Sequence, residues 1–189
     1  IPADARPWFF GARLVALAKK DGGIRPIAVG DVFRRLAAKF LAYRLKDDAA
    51  EFLKERYQIG VGVPGGADGL AHCARRYSGS WTDDSTKVIF KMDLKNAFNS
   101  VSRASLLAVV GKHFPSLAGY ATAAYGNHSN LVISGELIAS ASGVQQGDPL
   151  GPFLFSLALA EVVKSCSLPT LDLHGWYLDD GVFGGDVES

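Results

Sequence analysis

Two apolar, strand-like runs end in acids, and they limit what this chain can fold into more than any other feature. Val88-Ile89-Phe90-Lys91-Met92 leads into Asp93, and Trp176-Tyr177-Leu178 leads into Asp179-Asp180, followed at once by Gly181-Val182-Phe183. An Asp at the end of a buried strand is unfavourable unless something positive compensates it. Two such strands side by side would aim carboxylates at one spot, and a divalent cation is the simplest partner for that spot. Each Asp taken alone has a plain alternative, a strand end that opens a turn. That alternative leaves unexplained why hydrophobic strands deliver acids at both places.

With 189 residues, 48% hydrophobic and 21% charged, the chain is long and apolar enough for one sizeable domain or two small lobes. A net charge of +1 excludes a global basic footprint, so any nucleic-acid surface is local. Cys73 and Cys166 have no paired spacing to other Cys or His, which argues against a zinc site or disulfide framework and for a reducing compartment. The longest apolar run, Leu150 to Ala160, is too short to span a bilayer, and no membrane partner is expected. The first residue is Ile1 rather than Met, which reads as the interior of a longer protein.

Arg13 to Lys19 and Ile24 to Val29 read as a hairpin around Asp21-Gly22-Gly23, carrying Lys19, Lys20 and Arg25. Because side chains alternate along a strand, only one of the two lysines would face a given side. Asp31 is placed to cap a helix from Val32 to about Leu45. That helix carries an apolar stripe (Phe33, Leu36, Ala37, Phe40, Leu41) beside a basic one (Arg35, Lys39, Lys46). Gly60 to Gly66 reads as an irregular loop, Ala67 to Tyr77 as a helix and Ser78 to Ser85 as a polar loop. Val88 to Asp93 follows as a strand and Arg103 to Lys112 as a helix. Leu131–Ile133 and Leu137–Ala139 flank a turn at Ser134-Gly135-Glu136. Pro149 and Pro152 suit the start of a helix from Phe153 to Ser165. Leu171 to Tyr177 and Val182 to Phe183 form a last hairpin with Asp179-Asp180 at its tip.

Four segments, in order, resemble the palm-type reverse transcriptases, most closely the non-LTR retrotransposon and group II intron branch. Lys19 to Ile27 looks like the fingers hairpin, and Phe90-Lys91-Met92-Asp93-Leu94-Lys95-Asn96-Ala97-Phe98 like the first catalytic motif. Gly143-Val144-Gln145-Gln146-Gly147-Asp148-Pro149-Leu150-Gly151-Pro152 looks like the second, and Tyr177-Leu178-Asp179-Asp180 like the third. Tyr-x-Asp-Asp by itself is a weak signal; four ordered motifs are a strong one, and together they cover about Arg13 to Gly185.

The resemblance implies an α+β fold: the palm-and-fingers part of a right-hand polymerase, with an antiparallel palm sheet backed by helices. Residues of about 1–85 would be mainly fingers and about 86–189 mainly palm, with the thumb absent. It implies RNA-directed DNA synthesis, in which dNTPs are added to the 3′-hydroxyl of a DNA primer on an RNA template. Two Mg²⁺ ions, with Mn²⁺ as a substitute, would be held by Asp93, Asp179, Asp180 and the backbone carbonyl of Leu94. Lys20, Arg25, Phe98, Gln146 and Gly147 would bind the nucleotide, Phe98 as an aromatic steric gate against a ribose 2′-hydroxyl. A guanidinium such as Arg25 suits triphosphate oxygens. Without the motif, Phe98 would read as a core aromatic and the lysines as a solvated hairpin. Arg34, Arg35 and Lys39 are candidates for template or primer phosphates, with a solvated helix face as their alternative.

Three departures from the family pattern stand out: Leu178 where Ala is common, Gly151 in place of a frequent Ser, and Gln145 where Pro or Arg often precedes the Gln. The four histidines, His72, His113, His128 and His174, are isolated and are assigned no chemistry. The expected setting is intracellular, nuclear or cytoplasmic according to the parent element, with thumb and any endonuclease, RNase H or maturase segment as missing partners. An RNA-dependent RNA polymerase and a domesticated, non-catalytic RNA-binding module are the competing readings. Phe98 argues against the first and the intact acids against the second.

Overall fold

The computed structural model describes residues 1–20, 22–82, 86–166 and 171–187. In chain order its elements are α1 (Arg6–Phe9), β1 (Ala12–Ala18), β2 (Ile24–Gly30), α2 (Val32–Arg44), α3 (Lys46–Lys54), α4 (Gly66–Gly79), β3 (Lys87–Asp93) and α5 (Ala97–Ser100). Then follow α6 (Arg103–His113), α7 (Pro115–Tyr125), β4 (Ser129–Ile133), β5 (Glu136–Ser140), α8 (Gly151–Ser165), β6 (Leu173–Tyr177) and β7 (Asp180–Asp186). Two compact units interleave in sequence: Ile1–Leu45 with Asn96–Ala158, and Lys46–Lys95 with Leu159–Ser189. Among the described residues no helix is long and apolar enough to cross a membrane.

The first unit is built on a four-stranded sheet of order β2-β1-β4-β5. β1 and β2 pair antiparallel from Ala12↔Gly30 to Ala18↔Ile24, and β1 also pairs parallel with β4 through Ala12↔Leu131 and Arg13↔Val132. β4 and β5 close on Ser134 and Gly135, both at positive φ (50° and 85°), the backbone twist that suits a two-residue hairpin. The core comes from α6, α7 and the first half of α8, where Leu106, Val110, Leu117, Ala121, Leu154 and Leu157 are fully buried. α7 was not expected from sequence; its Ala-rich stretch of small apolar residues carries no clear helical stripe.

The second unit holds a three-stranded antiparallel sheet of order β3-β7-β6, with α4 packed against β6. α3, also unexpected, buries Ala49 and Leu53 in this unit. Sequence reading placed Val88 to Asp93 in a buried strand. Instead β3 is an edge strand, with Val88 44%, Ile89 37% and Phe90 57% exposed.

α2 runs where Asp31 predicts, the Asp31 carboxylate accepting the Phe33 N–H at 2.8 Å. Its inward face is not the expected apolar stripe. Phe33, Leu36, Phe40 and Tyr43 lie on the exposed side, while Arg34 and Ala38 are the buried residues. Arg34 therefore cannot serve as a phosphate contact; it is an interior residue. Arg35 and Lys39 are exposed as well, so the inward face is neither the apolar nor the basic stripe. That was decided by an ion pair to a residue far along the chain.

Three sequence assignments are only partly described: Asp21 of the hairpin turn and residues 83–85 of the polar loop lie outside the described residues. The turn's closing bond, Lys19 N–H to Gly23 O at 2.7 Å, is present.

Candidate active site

In the second unit, β3 and β7 pair from Lys87↔Asp186 to Asp93↔Asp180. Asp93 and Asp180 thus stand directly opposite each other at the end of the ladder, where paired side chains share one face. Lys91 lies on that face too, its Nζ 3.5 Å from Asp180 Oδ1. Sequence reading expects Asp93 and Asp179 on neighbouring strands, with Asp180 the weaker ligand candidate; instead Asp180 is the residue opposite Asp93, and Asp179 occupies the two-residue turn between Tyr177 and Asp180. Its carbonyl accepts the Leu94 N–H at 3.4 Å, which ties the turn to the end of β3. Leu178, the first turn residue, has φ +56°, a region a non-glycine residue enters at some cost.

These residues supply hard oxygen donors: two carboxylates facing each other and a third on the adjoining turn. Among the described residues no group of three or more His, Cys, Asp or Glu closes around one point. Carboxylate oxygens are hard donors of the kind that suit a hard divalent cation of the alkaline-earth type.

The remaining predicted residues sit in the first unit. Lys19 and Lys20 are not on a strand, because β1 stops at Ala18; both belong to the hairpin turn, so strand alternation does not choose between them. Arg25 is exposed on β2, opposite Leu17. The Phe98 ring is half-buried and stacks on Phe155 at 4.5 Å, and its carbonyl accepts the Val144 N–H at 2.7 Å. Gln146 accepts the Ala28 N–H through its carbonyl at 2.6 Å. Gly147 has φ +115°, and a Cβ there would lie 2.5 Å from the Ala28 carbonyl oxygen. Part of the need for glycine is therefore the close approach of β2.

The irregular segment from Ala141 to Leu150, after β5, is held by side chains that sequence reading passed over. Arg34, 2% exposed, donates to Asp148 Oδ2 at 2.9 Å, to Gln145 Oε1 and to the Phe10 carbonyl. The Tyr125 hydroxyl donates to the same Asp148 oxygen at 2.6 Å, and Asp148 Oδ1 accepts the Leu150 N–H. Arg103 braces the other side through the carbonyls of Gly143 and Ser140. Burial works against the Arg34 charge, but Tyr125 and Asp148 more than offset it, so its pKa lies above the ordinary value. Burial, aided by Asp148, pushes the Tyr125 hydroxyl well up, which keeps it a donor. Gln145, a mild departure in sequence, is 5% exposed and central to this network. Its neighbourhood in the second motif was the available signal; the partners were not.

A family model described as reverse transcriptase (RNA-dependent DNA polymerase) matches residues 17–189. The chain belongs to the reverse transcriptase family. Among its relatives are Retrovirus-related Pol polyproteins from type-1 retrotransposable element R2. That of Nasonia vitripennis is 28% identical over 171 residues, 82% of this chain and 16% of the relative. That of Popillia japonica is 27% identical over 175 residues, 86% of this chain and 24% of the relative. This reverse transcriptase chain thus spans less than a quarter of either relative. Its fold is similar to telomerase structures. Apo telomerase from Candida tropicalis superposes with TM-score 0.63 at 11% identity, over 97% of this chain and 40% of that one. Telomerase from Candida albicans, solved in complex with a TWJ fragment of telomeric RNA, gives 0.66 at 11% identity, over 97% and 39%. The expected α+β fold of a right-hand polymerase is borne out, as is the resemblance to the non-LTR branch.

Proposed function

We propose that the chain is the fingers-and-palm part of an RNA-directed DNA polymerase from a retrotransposon, with about 1–85 mainly fingers and about 86–189 mainly palm. One observation carries the reading: in a chain of this family, Asp93 and Asp180 oppose each other while Asp179 is tied to Leu94 beside them. Asp93, Asp179, Asp180 and the Leu94 carbonyl would hold two Mg²⁺ ions. When bound, such ions lower the pKa of an attacking hydroxyl and neutralise charge on phosphate oxygens. The chain's own residues would position the reactants. Lys20 and Arg25 offer cations to a triphosphate, Gln146 and Gly147 form the wall beside β2, and Phe98 excludes a 2′-hydroxyl. The stacking of Phe98 on Phe155 supports that last role, since a gate has to be held rigidly. The partners would be an RNA template, a DNA primer, dNTPs and the thumb and other domains of a longer polypeptide. An intracellular setting agrees with Cys73 and Cys166, both free and exposed.

The test is primer extension on an RNA template with Mg²⁺ and dNTPs, using a polypeptide that includes the thumb. Extension is expected in the wild type and lost in Asp93→Asn and in Asp180→Asn. A preference for rNTPs would favour an RNA-dependent RNA polymerase. RNA binding without extension by the folded protein would favour a non-catalytic module. Phe98→Val should raise rNTP incorporation if the gate assignment is right.

A further inference from the structure

Gln58 is 1% exposed, and no sequence motif drew attention to it. Its side-chain amide faces the turn that carries Asp179. Nε2 donates to the Leu178 carbonyl at 2.9 Å, and Oε1 accepts the Leu178 N–H at 2.9 Å. One amide thus satisfies both backbone polar groups of the residue immediately before Asp179. The same Oε1 accepts the Gly60 N–H at 3.0 Å.

The frame around Gln58 is itself fixed. Its backbone N–H bonds to the Leu53 carbonyl of α3 at 3.0 Å. Its neighbours clasp β6: Trp176 N–H bonds to Tyr57 O at 2.7 Å and Ile59 N–H to Trp176 O at 2.8 Å, forming a parallel bridge at Gln58. Gly60 lies so close to the turn that a Cβ would stand 2.6 Å from the Leu178 nitrogen. Leu178 needs such a clasp, because its positive φ is a conformation that a leucine does not hold unaided. Only the first of the two turn residues has positive φ, the sign pattern of a type II′ turn, where glycine is the usual occupant.

We infer that Gln58 is a positioning residue for the polymerase reaction: it holds the Leu178-Asp179 turn, and through it the acids opposite and beside Asp93, in metal-binding geometry. The inference rests on the reading of those acids as the metal site. Groups that orient metal ligands from behind are worth roughly 10–100-fold in metal affinity.

The experiment measures binding of Mn²⁺ alone to the full chain by electron paramagnetic resonance, with thermal melting alongside. Asp93→Asn identifies the binding that belongs to the site. Gln58→Met, which keeps the bulk and removes both bonds to Leu178, should weaken that binding by about tenfold or more. Adding Leu178→Gly to Gln58→Met should restore most of it, because glycine takes positive φ without strain. A role confined to packing would lower the melting temperature without this rescue. If Gln58→Met does not fold, Gln58→Asn, which keeps the amide but withdraws it by one methylene, serves the same comparison. Wild-type Mn²⁺ affinity in the folded Gln58 variant overturns the proposal, and so does a loss that Leu178→Gly fails to repair. Equal binding by wild type and Asp93→Asn would instead bring down the metal-site reading, and the role of Gln58 with it.

Discussion

Removing the Asp148 carboxylate while leaving Arg34 in place strands a guanidinium in the interior of the first unit. Breaking one side of a buried pair costs roughly 3–5 kcal/mol, whereas replacing both partners with apolar residues is often neutral or better. Asp148→Ala is therefore expected to destabilise the chain by about 3–5 kcal/mol in urea denaturation. Arg34→Met with Asp148→Leu should recover most of that. Gly147→Ala fails for a different reason, since its Cβ would collide with the Ala28 carbonyl at a backbone angle that disfavours side chains. It should break the Gln146–Ala28 hydrogen bond and cost about 2 kcal/mol or more. The motif containing Gln146, Gly147 and Asp148 was legible in sequence. That Asp148 and Gln145 would anchor on Arg34 was not, because Arg34 lies over a hundred residues upstream and nothing local marks it as buried.

At the scale of elements, the β6–β7 hairpin carries a titratable group that sequence reading left without a role. His174 stacks on Tyr57 at 4.2 Å, and its Nε2 accepts the Trp176 indole N–H at 3.2 Å. Desolvation lowers its pKa below the ordinary 6.5. A histidine depressed on folding favours the folded state while neutral. Its contribution is fully present above pH 6.5 and is lost as pH falls through the folded value. Melting temperature should therefore drop between pH 7.5 and 5.5, and the His174→Phe variant, which retains a ring for Tyr57, should flatten that part of the profile. For α2, the Asp31 cap was read correctly from sequence, and Asp31→Ala should cost about 1 kcal/mol, measurable by chemical denaturation.

Among the described residues, apolar side chains stand in water on several elements. They include the outer face of α2, with Phe33, Leu36, Phe40 and Tyr43 between 61% and 78% exposed, and the edge strand β3. Exposed stripes and unpaired strand edges promote association. Phe33→Glu combined with Phe40→Lys is expected to reduce light scattering of the purified chain while changing its melting temperature little, since neither ring is buried.

By itself, the sequence determined which acids follow apolar runs, where Asp31 starts a helix, and which family the ordered motifs belong to. Those are local facts, written in neighbouring residues and their spacing. Tertiary structure alone decided that Asp180 rather than Asp179 faces Asp93, because strand register is set by the whole β3–β7 ladder and a two-residue turn takes up Asp179. It also decided that Arg34 turns inward to Asp148, and that Gln58 reaches the turn 120 residues away. A buried polar side chain is stable only where partners from distant parts of the chain meet it, and those meetings exist only once the chain has folded.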